Sequence, residues 1–297
     1  MNLPRISIIT PSFNQGMFIA DTIQSVLQQD YPNLEYIVID GGSTDGSVEI
    51  IRKYELQIDY WVSEPDRGQS DAIRKGFARC TGNLWNWLNS DDVLEPEALW
   101  KLAIAYQTNP HATIYAGQLT LFGEDTKLFI HRPSFQSLKE LVCVWEKWAV
   151  PQPALYLSRA DCLKVSGIDP RWCYGMDYDF YLQLAQLSDF SVQNLDFGMA
   201  RMRRHPHSKT VSQTHQFRAE ILKIFDHFAQ QHPEFLPQGW RRSRALFAYI
   251  SALQALQFKL GRDPSLLECL RLTQEHLSIW KYRYFWGLLR RKLPTII

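Results

Sequence analysis

No uncharged apolar run in this chain approaches the ~20 residues needed to cross a bilayer. No signal-peptide pattern opens it either: Met-Asn-Leu-Pro-Arg leads straight into a strand-like stretch, so a cytoplasmic body is expected. Cysteine is scarce. Cys80, Cys143, Cys162, Cys173 and Cys269 are odd in number, widely spaced and free of any CxxC pair, which argues against a zinc ribbon, a redox motif or a disulfide scaffold. They read as buried or idle thiols. Neither GxGxxG nor GxxxxGK[ST] occurs, so the dinucleotide and nucleoside-triphosphate fingerprints are missing. There is no internal repeat and no low-complexity stretch.

What is present is ordinary globular material with an uneven charge. At 297 residues, 45% hydrophobic and 21% charged, the chain can bury a sizeable core, and disorder is excluded. The net charge of +1 conceals an acidic body and a basic tail. Through Ala200 there are 15 Lys/Arg against 25 Asp/Glu, a balance of −10; from Arg201 onward there are 17 against 6, a balance of +11. A basic tail implies an anionic partner. In Leu277–Ile297 (LSIWKYRYFWGLLRRKLPTII), aromatic and basic side chains are interleaved, the composition of a segment lying on an anionic bilayer. A helix packed on the protein's own body would use the same residues. No nucleic-acid-binding module is recognisable, and none is expected.

The first third alternates strand-like and helix-like segments, the pattern of a mainly parallel sheet with helices on its faces. Strands are predicted at Ile6–Thr10 (stopped by Pro11), Leu34–Asp40, Ile58–Val62 and Leu84–Leu88. Helices are predicted at Phe18–Gln29, about Thr44–Tyr54 and about Gln69–Ala78. The stretch Thr113–Pro153 is rich in strand formers and extends the sheet. Further helices are expected near Asp177–Leu187 and at Ala219–Gln231, Arg242–Leu260 and Pro264–His276.

In an open parallel sheet, ligands bind at the carboxyl ends of the strands. Thr10-Pro11-Ser12, Asp40-Gly41-Gly42, Ser63–Asp66 and Asn89–Asp92 all fall at such ends, so four polar clusters converge on one edge. Asn89-Ser90-Asp91-Asp92 puts adjacent carboxylates after a buried strand, an oxygen-donor set suited to Mg²⁺ or Mn²⁺ on a diphosphate. The same turn could simply cap the helix that follows. Asp40-Gly41-Gly42-Ser43-Thr44-Asp45-Gly46-Ser47 is a glycine-punctuated entry to a helix. Asp40 is placed to meet a base or ribose there, with Thr44 or Asp45 as cap.

IITPSFNQ, VIDGGSTDGS, SEPDRGQSDAIRKG and WLNSDD, in this order, resemble the family 2 inverting glycosyltransferases of GT-A fold, of the polysaccharide-biosynthesis type. PQPALYLSRADCLKVSGIDP, YGMDYDFYLQLA and RMRRHPHSKT carry the likeness to about residue 210. The resemblance implies a GT-A catalytic domain over 1–210, with a donor half to about 110, an acceptor half to about 210, and a helical basic extension over 211–297. It implies that Pro11, Ser12, Asp40 and Asp66 hold the donor nucleotide, and that Asp91, with Asp92 nearby, binds the divalent cation. Asp177 would be the catalytic base, with Asp179 the alternative, because an inverting transfer needs one carboxylate to take the acceptor proton. His205 would reach the metal or diphosphate. Two departures stand out: the usual double aspartate is Asp40-Gly41, and the first aspartate of the metal motif is Asn89.

The expected reaction is transfer of a sugar from a nucleotide diphosphate sugar, UDP above others, to an acceptor hydroxyl with inversion, helped by Mn²⁺ or Mg²⁺. The expected acceptor is a lipid-linked glycan or oligosaccharide at the inner face of the plasma membrane. A nucleotidyltransferase would need a triphosphate-gripping basic loop after the first strand, and Pro11–Gly16 has no Lys or Arg. A non-catalytic nucleotide-sugar-binding or membrane-associated scaffold is the rival from another class. Retention of both Asp91 and Asp177 speaks against it.

Overall fold

The computed structural model of the chain describes residues 3–123, 129–145, 150–265, 268–269 and 271–272. Its elements in chain order begin with β1 (Ile6–Ser12), α1 (Ile19–Leu27), β2 (Leu34–Asp40), α2 (Ser47–Lys53), β3 (Tyr60–Ser63), α3 (Gln69–Phe77) and β4 (Leu84–Trp87). They continue with β5 (Val93–Leu94), α4 (Ala98–Thr108), β6 (Ile114–Phe122), β7 (Phe129–His131), α5 (Leu138–Val142), β8 (Leu155–Ser158) and α6 (Arg159–Cys162). The last are α7 (Met176–Leu184), β9 (Val192–Arg203), α8 (Lys209–Ser212), α9 (Thr214–Gln231) and α10 (Trp240–Leu260).

Among the described residues the strands form one mixed sheet in the order β3-β2-β1-β4-β8-β6-β9-β5, with β7 on β6. The β3-β2-β1-β4 half is parallel, and β8 enters antiparallel between β4 and β6. Helices pack against this sheet, α3 on β1 and β2 and α4 on β9. Strands β1 and β2 read as near-continuous apolar runs because both of their faces are covered, and Ile6, Ile8, Ile9, Tyr36, Ile37, Val38 and Ile39 are at most 1% exposed.

Chain contacts divide the protein into two compact units, Met1–Leu141 with Trp148–Pro206, and Val142–Lys147 with His207–Ile297. The first holds the sheet. The described residues of the second are mainly helical, with Ile221, Ile224, Phe225 and Phe228 of α9 and Ala248 and Tyr249 of α10 buried. Within it Trp145 stacks on Phe247 at 4.9 Å, meets Phe225 edge-on at 5.0 Å, and donates its Nε1–H to Ser243 Oγ at 2.8 Å.

In α1 the buried positions Ile19, Thr22, Ile23 and Val26 recur at helical spacing. The same helix pins the stretch after β4 with polar side chains. Thr22 Oγ1 donates to the Asp92 carbonyl at 2.7 Å, Ser25 Oγ accepts from Leu94 N at 3.1 Å, and Gln29 bridges Glu95 O and Leu99 N.

Several sequence expectations shift. Strand β1 does not stop at Pro11; it runs to Ser12, because the ladder to β4 ends at Ile9–Trp87 and Pro11 pairs with β2 alone. Helix α2 starts at Ser47 rather than Thr44, since Gly46 turns left-handed (φ 92°) before it. The stretch Thr113–Pro153, expected to extend the sheet, does so with β6 and β7 and also contains α5. Helix α4 and strand β9 were not foreseen. The expected Leu277–Ile297 segment, and most of the Pro264–His276 helix, fall outside the described residues. Four of the five cysteines are buried, Cys173 is exposed, and none is in a disulfide among the described residues. No described helix is long and apolar enough to cross a membrane.

Candidate active site

The parallel register aligns Ser12, Asp40 and Ser63 as neighbours across β1, β2 and β3. Asp40 is 1% exposed and its carboxylate organises the loop that follows. Oδ2 accepts from Gly42 N (3.1 Å), Ser43 N (2.9 Å) and Ser63 Oγ (2.7 Å), and Oδ1 accepts from the Ser43 hydroxyl. Asp40 therefore faces inward and builds the turn. Ser12 is also buried, but its Oγ makes no hydrogen bond among the described residues. An orphaned buried hydroxyl at a strand end is a place where a ligand atom would satisfy it.

Two loops are laced together beside this row. Asn14 N donates to Ser43 Oγ (2.8 Å) and Asn14 Oδ1 accepts from Thr44 N (3.0 Å). Gln15 N donates to Ser47 Oγ (3.0 Å), and Gly16 N to Asp45 Oδ2 (2.8 Å). Asp45 thus ties the first loop to the start of α2. Asn14 holds φ 52°, a left-handed conformation that asparagine tolerates. The lacing leaves Phe13, next to Ser12, 58% exposed. Asp66 accepts from Gly68 N at 2.8 Å and lies against Gly41: a Cβ at residue 41 would meet its Oδ2 at 2.8 Å. The place left by the missing second aspartate is filled by Asp66 from the next strand end.

The turn after β4 is held from three directions. Asn89 Oδ1 accepts from Gln69 Nε2 at 2.7 Å, and its Nδ2 donates to Asp92 Oδ2 at 3.2 Å. Asp92 is 1% exposed, and its Oδ1 accepts from Arg203 N at 3.0 Å. Burial first, and the Asp91 charge second, push its carboxyl well above the usual range. Asp91 keeps 18% of its side chain exposed and lies 3.0 Å from His205 Nε2 through Oδ2. Arg203 and His205 come from the end of β9, a strand with a polar sequence and no clean alternation.

Among the described residues no three His, Cys, Asp or Glu side chains cluster as a metal cage. Asp91 and His205 meet; Asp92 is engaged with Arg203 and Asn89. Asp91 and His205 offer a carboxylate oxygen and an imidazole nitrogen, donors that would suit a divalent cation completing its shell on a ligand.

Asp177 sits in the first turn of α7, and its Oδ1 accepts from Tyr178 N at 2.8 Å. Asp179 turns to its own helix, where Gln183 Nε2 donates to Oδ2 at 2.8 Å; burial raises its pKa. Tyr181 stacks on Trp87, the last residue of β4, with centroids 6.4 Å apart and planes 13° apart. Burial, and then the Asp177 charge, hold the Tyr181 hydroxyl well above its ordinary range. Ser70, in the first turn of α3, donates its hydroxyl to Trp172 O at 2.8 Å, with Met176 Sδ also beside it, fastening the entry of α7. The helix carrying Asp177 is thus anchored on β4 and α3, the two elements that also hold Asn89.

Sequence reasoning missed Phe13, Gln69, Arg203 and Tyr181. Phe13 had a local signal, an aromatic beside Ser12 at a strand end. Arg203 stood in a basic run that offered no way to choose among Arg201, Arg203 and Arg204.

The sequence model described as glycosyl transferase family 2 matches residues 7–162. An uncharacterized glycosyltransferase of Mycobacterium tuberculosis is 32% identical over 187 residues, 61% of this chain and 69% of that protein. TuaG of Bacillus subtilis, named for teichuronic acid biosynthesis, is 35% identical over 135 residues, 44% of this chain and 54% of its own length. Among solved structures, the mannosyltransferase PcManGT of Pyrobaculum calidifontis, in complex with GDP-Man and Mn²⁺, has a TM-score of 0.58 at 15% identity, covering 99% of this chain and 85% of that one. S. aureus TarS 1–349 in complex with UDP has a TM-score of 0.57 at 15% identity, covering 86% and 72%. At that identity the solved structures speak for the GT-A fold, while the family match spans β1 through α6 and takes in every strand-end cluster built above. With fold, strand-end motifs and sequence match in agreement, this chain belongs to glycosyl transferase family 2.

Proposed function

We propose that the enzyme transfers a hexose from a nucleoside diphosphate sugar, UDP above others, to an acceptor hydroxyl with inversion. The observation that carries the reading is the meeting of Asp91 and His205 at 3.0 Å, beside the aligned row Ser12, Asp40 and Ser63. The row, with Pro11 behind it and Asp66 over Gly41, is the donor nucleotide pocket. Ser12 offers it an unsatisfied hydroxyl, and Phe13 a face on which a base can stack. Asp40 acts through the turn it builds. Asp91 and His205 would hold Mn²⁺ or Mg²⁺; when bound, the cation stabilises the charge on a departing diphosphate.

Asp177 accepts the proton of the acceptor hydroxyl as that oxygen bonds to the anomeric carbon and the bond to the diphosphate breaks from the opposite face.

The acceptor we propose is a lipid-linked glycan or oligosaccharide in cell-surface polysaccharide assembly, met at the inner face of the plasma membrane. The +11 balance after Ala200 and the aromatic-basic composition of Leu277–Ile297 support an anionic membrane partner.

A thermal-shift panel of nucleotide sugars with Mn²⁺ and with EDTA, followed by assay of nucleotide release, tests the reading. A ligand bound at 100 times its Kd stabilises by about 2.7 kcal/mol. A shift with a UDP-sugar that EDTA abolishes is expected. No shift and no release with any donor would overturn it.

A further inference from the structure

We infer that Arg203 is a positioning residue for the cation site, acting on Asp91 through the main chain. The inference rests on the metal reading above and goes beyond it, because Arg203 touches neither the proposed cation ligands' side chains nor the donor row. Its Nε donates to the Asp91 carbonyl at 3.1 Å, its backbone N–H to Asp92 Oδ1 at 3.0 Å, and its Nη2 to Asp21 Oδ2 at 2.8 Å. Only 20% of the side chain is exposed. The guanidinium lies 4.6 Å from the centroid of Phe122 and 5.0 Å from that of Phe18.

Phe18 joins this bond set to the ligand pair. The Phe18 ring stands 4.5 Å from the His205 ring, so one phenyl supports both the guanidinium on Asp91's main chain and the imidazole on its side chain. One residue thus fixes where the Asp91–Asp92 turn lies relative to His205, from a strand position only two residues away. A planar five-donor fork suits this task. It can reach Asp91 O and Asp21 together, whereas a lysine ammonium concentrates its donors at one point. Groups that orient metal ligands typically change metal affinity 10–100-fold when removed.

The test is Mn²⁺ titration followed by electron paramagnetic resonance, with and without UDP, on the full chain and on Arg203→Ala, Arg203→Lys and Asp21→Asn. The apo melting temperature of each protein is recorded alongside. Arg203→Ala is expected to weaken Mn²⁺ at least 10-fold, Arg203→Lys to recover part of that, and Asp21→Asn, at an exposed ion pair, to weaken it a few-fold. Loss of melting temperature with unchanged Mn²⁺ affinity in both Arg203 variants would make the residue merely structural and overturn the inference. Should Arg203→Ala not fold, Arg203→Lys and Asp21→Asn decide, and wild-type affinity in both overturns it. Asp91→Asn separates the two levels. If it loses Mn²⁺ while the Arg203 variants do not, positioning alone fails; if the wild-type chain takes no Mn²⁺, the metal reading fails and the inference with it.

Discussion

Asp66 and Gly41 compete for one place. The Asp66 carboxylate lies so close to Gly41 that a Cβ there would stand 2.8 Å from Oδ2 and 3.1 Å from Cγ. Gly41→Ala must move Asp66, a side chain that can swing, so the cost falls on the proposed donor pocket and little on the fold. We expect a 10-fold or greater loss of UDP affinity by calorimetry, with a melting temperature within about 2 °C of wild type. Unchanged affinity would remove Asp66 from the pocket.

Asp177→Asn should abolish turnover while leaving UDP affinity within a few-fold, because a base acts on the acceptor in the chemical step only. Asp179, tied to Gln183, should tolerate Asn with a small loss. Near wild-type turnover by folded Asp177→Asn, measured as sugar transfer rather than donor hydrolysis, would move the base elsewhere.

Glu35 lies near the strands' amino ends, far from the site in the sheet. It accepts from Ser7 Oγ, Thr81 N, Thr81 Oγ1 and Arg5 Nη2. Burial opposes its charge, but those bonds outweigh it and hold the pKa below the ordinary value. A depressed folded-state pKa gives stability that is present above the unfolded value of about 4.3 and lost as pH falls through the folded one. Glu35→Gln should cost about 1–3 kcal/mol near pH 7 and flatten the acid limb of the stability curve. Parallel acid limbs in urea titrations of the two proteins would refute the assignment.

Trp145→Ala should destabilise the helical unit by roughly 2–3 kcal/mol, near the low end for loss of a large aromatic, since Trp145 is only half-buried. Trp145→Phe keeps the stack on Phe247 and loses the Ser243 bond, costing about 1 kcal/mol. Calorimetry that finds no change in either variant would count against the packing described.

The parallel half of the sheet was legible because its strands are short apolar runs closed by turn residues, and β2 matched its expected limits residue for residue. Boundaries slipped where backbone geometry outranked composition, as at Gly46 and Pro11. Strand β9 was not legible. Val192–Arg203 mixes Gln, Asn, Asp and Arg with apolar residues in no period of two, and its pairing with β6 carries register shifts. In the site, the strand-end clusters could be read locally. That Asp40 turns inward, that Asp66 covers Gly41 and that Arg203 rather than its neighbours grips the Asp91 turn depend on contacts across 23 to 112 residues. Spacing along a chain carries no trace of them.

Strand β5 pairs with β9 among the described residues, and β9 lies between it and β6. Every donor-row residue is made before residue 67, yet the grip on Asp91 arrives only with residues 203 and 205. Domains fold as units during synthesis, and both sets of residues belong to one compact unit, Met1–Leu141 with Trp148–Pro206. The site we propose is therefore complete only when nearly all of that unit has been made.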